Sequence, residues 1–133
     1  MKIDGHCHCG KIFFEAEVDR DQGFSICHCT DCQILTGSAF RTTLHVSGDK
    51  FSLKGTPKVY IKTAESGNKR AQAFCGDCGS HIYASDLENP STYSVRTGII
   101  SQRMDLFPFR QIWRRSALPW VNSIGSVPAK EKG

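Results

Sequence analysis

The chain has 133 residues, enough for one domain with a real core, and its 39% hydrophobic and 23% charged residues are ordinary for a globular protein. Its 17 Lys and Arg against 13 Asp and Glu give +4 with neutral histidines. That mildly favours anionic ligands, and with no run of more than two Lys or Arg it argues against a nucleic-acid partner. No apolar run approaches the ~20 residues of a membrane helix, and Met1–His6 lacks the apolar stretch of a signal peptide. The expectation is a cytoplasmic protein with no membrane partner.

The dominant period along the chain is two, the signal of half-buried strands. In Lys11–Val18 the residues Ile12, Phe14, Ala16 and Val18 share one face, with Glu15 and Glu17 on the other. Phe24–Cys29 reads as a second strand, and one or two helical turns follow at Asp31–Thr36, stopped by Gly37. Ala39–Val46 alternates through Phe40, Thr42, Leu44 and Val46. Gly48-Asp49 turns the chain into Phe51–Leu53, and Gly55-Thr56-Pro57 turns it into Val59–Lys62. Further strands are expected at Arg70–Phe74, His81–Ala84, Thr92–Thr97 and Gln111–Arg114. Many short strands with at most one short helix predict an all-β domain over residues 1–121, followed by a loosely held tail over 122–133.

The seven cysteines fall into three tight clusters: Cys7 and Cys9; Cys27, Cys29 and Cys32; Cys75 and Cys78. In a reducing compartment such spacing points to metal or catalysis rather than disulfides, and an odd total leaves no complete disulfide framework. Cys7 and Cys9, read as i and i+2 of an extended strand, project together, and Cys75-Gly76-Asp77-Cys78-Gly79 reads as a zinc-knuckle turn. One ion held by these four thiolates would be a closed tetrahedral site tying distant parts of the chain together.

The middle cluster offers three sulfurs, with Cys27 and Cys29 on one strand face and Cys32 one turn later. Three thiolates around Zn²⁺ leave one coordination position free and a net charge of −1. That charge quenches the Lewis acidity needed to activate water and suits a soft fourth ligand, above all a substrate thiol. The competing readings are a Cys29–Cys32 redox dithiol and a second, purely structural metal site. His28 sits between two expected ligands and should point away from them, whereas His81 lies close in sequence to the knuckle. His6, His8 and His45 read as ordinary strand-face residues. Arg41, Lys69, Arg70, Arg114 and Arg115 are candidates for a substrate carboxylate, each weighed against a solvated strand edge, and Trp113 and Trp120 read as core or as pocket walls.

The run Cys7-His8-Cys9-Gly10, then Cys27-His28-Cys29-Thr30-Asp31-Cys32 with Thr36-Gly37-Ser38-Ala39-Phe40, then Phe74-Cys75-Gly76-Asp77-Cys78-Gly79 resembles the glutathione-dependent formaldehyde-activating enzyme family, which includes centromere protein V. Leu118-Pro119-Trp120 matches as well, so the resemblance spans residues 5–121. It implies the Mss4-like fold, with small antiparallel sheets around zinc. It implies a structural zinc on Cys7, Cys9, Cys75 and Cys78, and an active-site zinc on Cys27, Cys29 and Cys32, which become the catalytic residues. It implies a carbon–sulfur lyase that forms S-hydroxymethylglutathione, with glutathione as co-substrate and a small thiol and an aldehyde as partners. A non-catalytic zinc module for partner recognition and a thiol redox protein stand beside that reading. The chain departs from the pattern after Gly98, where Ile99-Ile100 replaces the usual Leu-Asp and Gln111 replaces a common histidine.

Overall fold

A computed structural model describes residues 1–133. Ten strands and one α-helix follow in order: β1 (Lys2–His6), β2 (Phe13–Glu17), β3 (Phe24–Cys27), α1 (Thr30–Thr36), β4 (Arg41–Ser47), β5 (Phe51–Lys54), β6 (Lys58–Thr63), β7 (Lys69–Phe74), β8 (His81–Asp86), β9 (Thr92–Arg96) and β10 (Pro108–Ile112). The remainder is turns and short 3₁₀ segments, the longest at Pro119–Ser126. The all-β class read from the alternating pattern holds, and the single α-helix ends at Gly37.

The strands build two sheets. The small one has the order β1-β2-β5 and the large one the order β10-β3-β4-β9-β8-β7-β6. Every pairing is antiparallel except β10 with β3, which is parallel. Ile3, Phe14, Ala16, Val18, Leu44, Val46, Val95 and Ile100 form one buried cluster drawn from both sheets. Phe51, Tyr83 and Tyr93 pack against it, with Phe51 stacked on Tyr93 at 4.5 Å between centroids. Burying each such side chain contributes about 1.5–3 kcal/mol, so this cluster outweighs any single polar contact in holding the sheets together.

Two sequence expectations shift in detail. β1 stops at His6, and Cys7–Gly10 form a turn rather than a strand. The sequence pattern predicts a last strand at Gln111–Arg114. The observed strand lies earlier, at Pro108–Ile112, and Arg114 begins a 3₁₀ turn. All five residues of β10 are exposed, so no in–out alternation marks its bounds.

The other face of the large sheet is polar. Ser25, Arg41, Thr43, Gln72, Ser94 and Arg96 are each buried to 8% exposure or less. The register explains the grouping: Cys27 lies opposite Arg41, Ser25 opposite Thr43, and Thr43 opposite Arg96. Residues directly across a ladder share a face.

Candidate metal centres and the groove beside them

Cys7, Cys9, Cys75 and Cys78 come together with their sulfurs within 4.8 Å of one another. They sit on two turns that meet. The first follows β1, where the Gly10 N–H donates to the Cys7 carbonyl at 3.0 Å. The second follows β7, where the Gly79 N–H donates to the Cys75 carbonyl at 2.8 Å. Gly10 has φ +82° and Gly79 φ +78°, a left-handed backbone that an L side chain opposes. The Cys7–Cys9 pair is thus a second knuckle with the same glycine closure. The strand-face geometry expected for it gives way to a turn, which still converges the two sulfurs.

The distances fit a metal. Cys7 Sγ lies 3.6 Å from Cys9 Sγ, which lies 3.7 Å from Cys75 Sγ. Four sulfurs at ~2.3 Å from a tetrahedral zinc are ~3.8 Å apart. Ile12 N–H donates to Cys7 Sγ at 3.3 Å, and Ser80 Oγ lies 3.3 Å from Cys78 Sγ. The Ser80 hydroxyl is the chief cause that holds the Cys78 thiol down at about 5. Cys7 and Cys75 are buried, and with Ile12 and Ile82 they make a small cluster of their own.

Cys27, Cys29 and Cys32 form the second group, again with sulfurs within 4.8 Å of one another. Cys27 ends β3. Cys29 is the N-cap of α1 with extended backbone (φ −61°, ψ 153°), and its sulfur accepts from the Cys32 N–H at 3.3 Å. Cys32 lies in the first turn of the helix and is buried. The Cys32 sulfur is the chief cause that holds the Cys27 thiol down at about 5, and the same contact pushes Cys32 up. Such a split is what a shared proton among close thiols produces. No histidine or carboxylate joins either group, so the second offers three protein sulfurs to a metal and no fourth donor.

The neighbourhood of the second group is well defined. His28 is fully buried and turned away from the three sulfurs; its Nε2 is 2.8 Å from Gln111 Oε1, and its ring meets Phe40 edge-on. Gln111 therefore accepts a hydrogen bond from His28 and braces the Cys27–Cys29 segment. Gln33 Nε2 donates to the carbonyls of His28 and Ser116, at 2.8 and 2.9 Å, and ties α1 to the segment after β10.

A groove of about 560 Å³ opens beside Cys29, lined by Thr30, Asp31, Lys62, Trp113, Arg115 and Ser116 among others. Lys62 pairs with Asp31 at 2.8 Å, and the Arg115 guanidinium lies 5.0 Å from the Trp113 ring centre. Trp113 is a pocket wall, not core, and Trp120 is half exposed. A depression of similar size, lined by Lys2, Glu15, Lys50 and Gln102, lies on the small sheet and contains no cysteine.

The candidate cations separate clearly. Arg115 lines the groove, Arg70 pairs with Asp86 at 2.7 Å, and Arg114 donates to Asn122. Arg41 is not at a solvated edge: it is 6% exposed. His81 does not join the knuckle sulfurs; it stands in β8 beside Phe74, its pKa lowered by burial and then by Arg41 and Arg96. Lys62, Gln33, Gln72 and Arg96 escaped the sequence reading. No local signal marks them: Ala71, Gln72 and Ala73 are all buried, and Gln72 simply faces away from the two alanines.

Comparison with known proteins agrees with the cysteine pattern. The family model described as glutathione-dependent formaldehyde-activating enzyme matches residues 2–116. A curated protein of Halomonas elongata, named "Putative glutathione-dependent formaldehyde-activating enzyme", is 26% identical over 94 residues, which are 68% of this chain and 60% of that protein. The match thus spans less than two thirds of that relative's length. A crystal structure of a Rhodobacter sphaeroides protein superposes with a TM-score of 0.61 at 20% identity, covering 81% of this chain and 98% of that one, which supports the fold. With the family model covering nearly the whole length and all seven cysteines gathered into two groups, the chain belongs to the glutathione-dependent formaldehyde-activating enzyme family.

Proposed function

We propose that the protein is a zinc-dependent carbon–sulfur lyase that binds a small thiol, glutathione first among candidates, at Cys27, Cys29 and Cys32. It makes or breaks the hemithioacetal C–S bond with formaldehyde or a related aldehyde. The observation that carries this reading is the three-sulfur group with no fourth protein ligand, next to a groove large enough for a small molecule. Zinc at that position supplies a soft Lewis acid that keeps a thiol deprotonated near neutral pH. Cys7, Cys9, Cys75 and Cys78 are assigned to the structural zinc.

The chain's own residues do the rest. Cys27, Cys29 and Cys32 fix where the substrate sulfur stands. Arg115 and Lys62, the latter paired with Asp31, are the groove-wall cations proposed to meet the carboxylates of a glutathione-like thiol, and the Trp113 ring offers a flat apolar wall. In the addition, a sulfur lone pair forms the C–S bond, the carbonyl π pair moves to oxygen, and that oxygen takes the proton the thiol gave up. The reverse reaction breaks the same bond.

No helix is long and apolar enough to cross a membrane. Thiols gathered into groups of four and three at metal-binding spacing suit a reducing compartment, and a cytoplasmic location belongs to the proposal. Residues 1–121 are proposed as the functional domain.

The deciding experiment is zinc stoichiometry on anaerobically purified protein, with and without glutathione. Two zincs, one of them perturbed by glutathione, support the reading and justify aldehyde assays. Two zincs indifferent to any thiol point to a structural module, and one zinc with a reversible Cys29–Cys32 disulfide points to redox chemistry.

A further inference from the structure

Arg41 and Arg96 are 6% and 8% exposed, yet neither forms an ion pair. Both donate to one acceptor, the amide oxygen of Gln72: Arg41 Nη1 at 3.1 Å and Arg96 Nη2 at 2.8 Å. Arg41 Nε, Arg41 Nη2 and Arg96 Nε are buried with no partner at all. Two like charges bridged by a neutral amide, with three donors unused, are a costly thing to bury, because buried cations normally sit against carboxylates.

The three-sulfur group stands across the ladder from this pair. Arg41 lies directly opposite Cys27, and Arg96 lies two residues further along the same face, opposite Thr43. Burial and the Arg41 charge lower the Arg96 pKa, and the Cys32 and Cys27 sulfurs act in the opposite sense. A divalent ion on three thiolates carries one net negative charge. Two guanidiniums turn that into one net positive charge inside the fold, which a neutral fourth ligand leaves standing and an anionic one cancels.

We propose that Arg41 and Arg96, bridged by Gln72, are the fixed counter-charge of the three-cysteine site and make its open position selective for anionic ligands, a thiolate before any neutral donor. This deepens the function proposed above and rests on its metal reading. The two arginines act through the sulfurs and are positioning residues, since no atom of theirs touches the groove.

The sharpest test is Gln72→Glu. The side chain keeps its shape and gains a carboxylate for both guanidiniums, so the fold should be at least as stable, while the surplus positive charge disappears. The full chain, loaded with cobalt, is titrated with glutathione, with thiocyanate as a small anion and with imidazole as a neutral ligand, and the cobalt spectrum reports each. In the Gln72→Glu variant the affinity for both anions should fall about tenfold or more, the size expected for one unit charge ~10 Å away at an effective dielectric constant of about 20, with imidazole unchanged or tighter. Arg96→Met should behave likewise, and Arg96→Lys should recover most of the loss.

Equal anion affinity in the Gln72→Glu variant and the parent overturns the proposal. So does a parallel fall for anions and imidazole, which would mark a merely structural role. If the parent ignores glutathione but its thiocyanate affinity drops on Gln72→Glu, the counter-charge stands and the thiol reading falls. A parent that takes up only one cobalt overturns both.

Discussion

Replacing Cys75 by serine should be the most damaging single-atom change in this protein. Cys75 is 1% exposed and directly follows β7 at the meeting point of the two knuckles, with its sulfur 3.7 Å from that of Cys9. A structural zinc is worth about 10–16 kcal/mol in small peptide modules, so one of four ligands carries about 2.5–4 kcal/mol of it. The new hydroxyl, buried without its metal, adds about 1–3 kcal/mol of unmet desolvation. The total, about 4–7 kcal/mol, is comparable to the whole stability of an ordinary domain, about 5–15 kcal/mol. At about 4 °C per kcal/mol for a chain of this size the melting temperature should fall by about 15–30 °C. The assay is thermal unfolding followed by circular dichroism, with metal content measured on the same samples and a chelator-treated parent alongside. A Cys75→Ser protein that melts within about 3 °C of the parent, together with a parent insensitive to chelator, would falsify the structural role of the four-sulfur group.

Cys29→Ser should behave oppositely: the helix cap it provides can pass to the serine hydroxyl, so the melting point moves little while one metal equivalent and any thiol-dependent activity disappear. Phe14→Ala, at a fully buried position, should cost about 3–5 kcal/mol in denaturant titration without changing metal content. Gly79→Val forces a side chain onto φ +78° and should destabilise by about 1–2 kcal/mol, read as an earlier unfolding midpoint. In metal-stripped protein the Cys27–Cys32 pair should hold one thiolate that ultraviolet absorbance follows. Because the folded pKa of Cys27 is depressed from 9.0 to about 5, the stability it contributes is present above pH 9, diminishes as acid is added, and is lost as pH falls through about 5. A thiol that instead titrates near its ordinary value would refute the sulfur–sulfur contact.

Much of this architecture is written locally. Alternation through Ile12–Val18, Leu44 and Val46 marks strands whose inward residues do form the core, and cysteine spacing alone names both sulfur groups. What the chain hides is set by distant partners. β1 contains Gly5 and Asp4 and has no strong alternation; it is a strand because it pairs with β2 and bridges to Ile100. β10 carries five exposed residues and owes its bounds to parallel pairing with β3. Arg41, Gln72 and Arg96 lie on three different strands, and no spacing rule could join them. The turn at Cys7–Gly10 was masked because two residues apart on a strand and two residues apart in a glycine-closed knuckle present the same cysteine pair.

The four-sulfur group also dictates an order of events as the chain is made. Cys9 and Cys75 are 66 residues apart, and each pair sits on a turn that can form by itself. The first knuckle emerges from the ribosome long before its complement and can grip an ion with only two sulfurs until β7 is synthesised. Closing so long a loop is entropically unfavourable, so a metal held by all four sulfurs would be locked in only after the intervening strands have collapsed. Metal supply would then govern the last stage of maturation rather than the first, and a zinc-starved cell should accumulate a collapsed, protease-sensitive form with its early strands already paired.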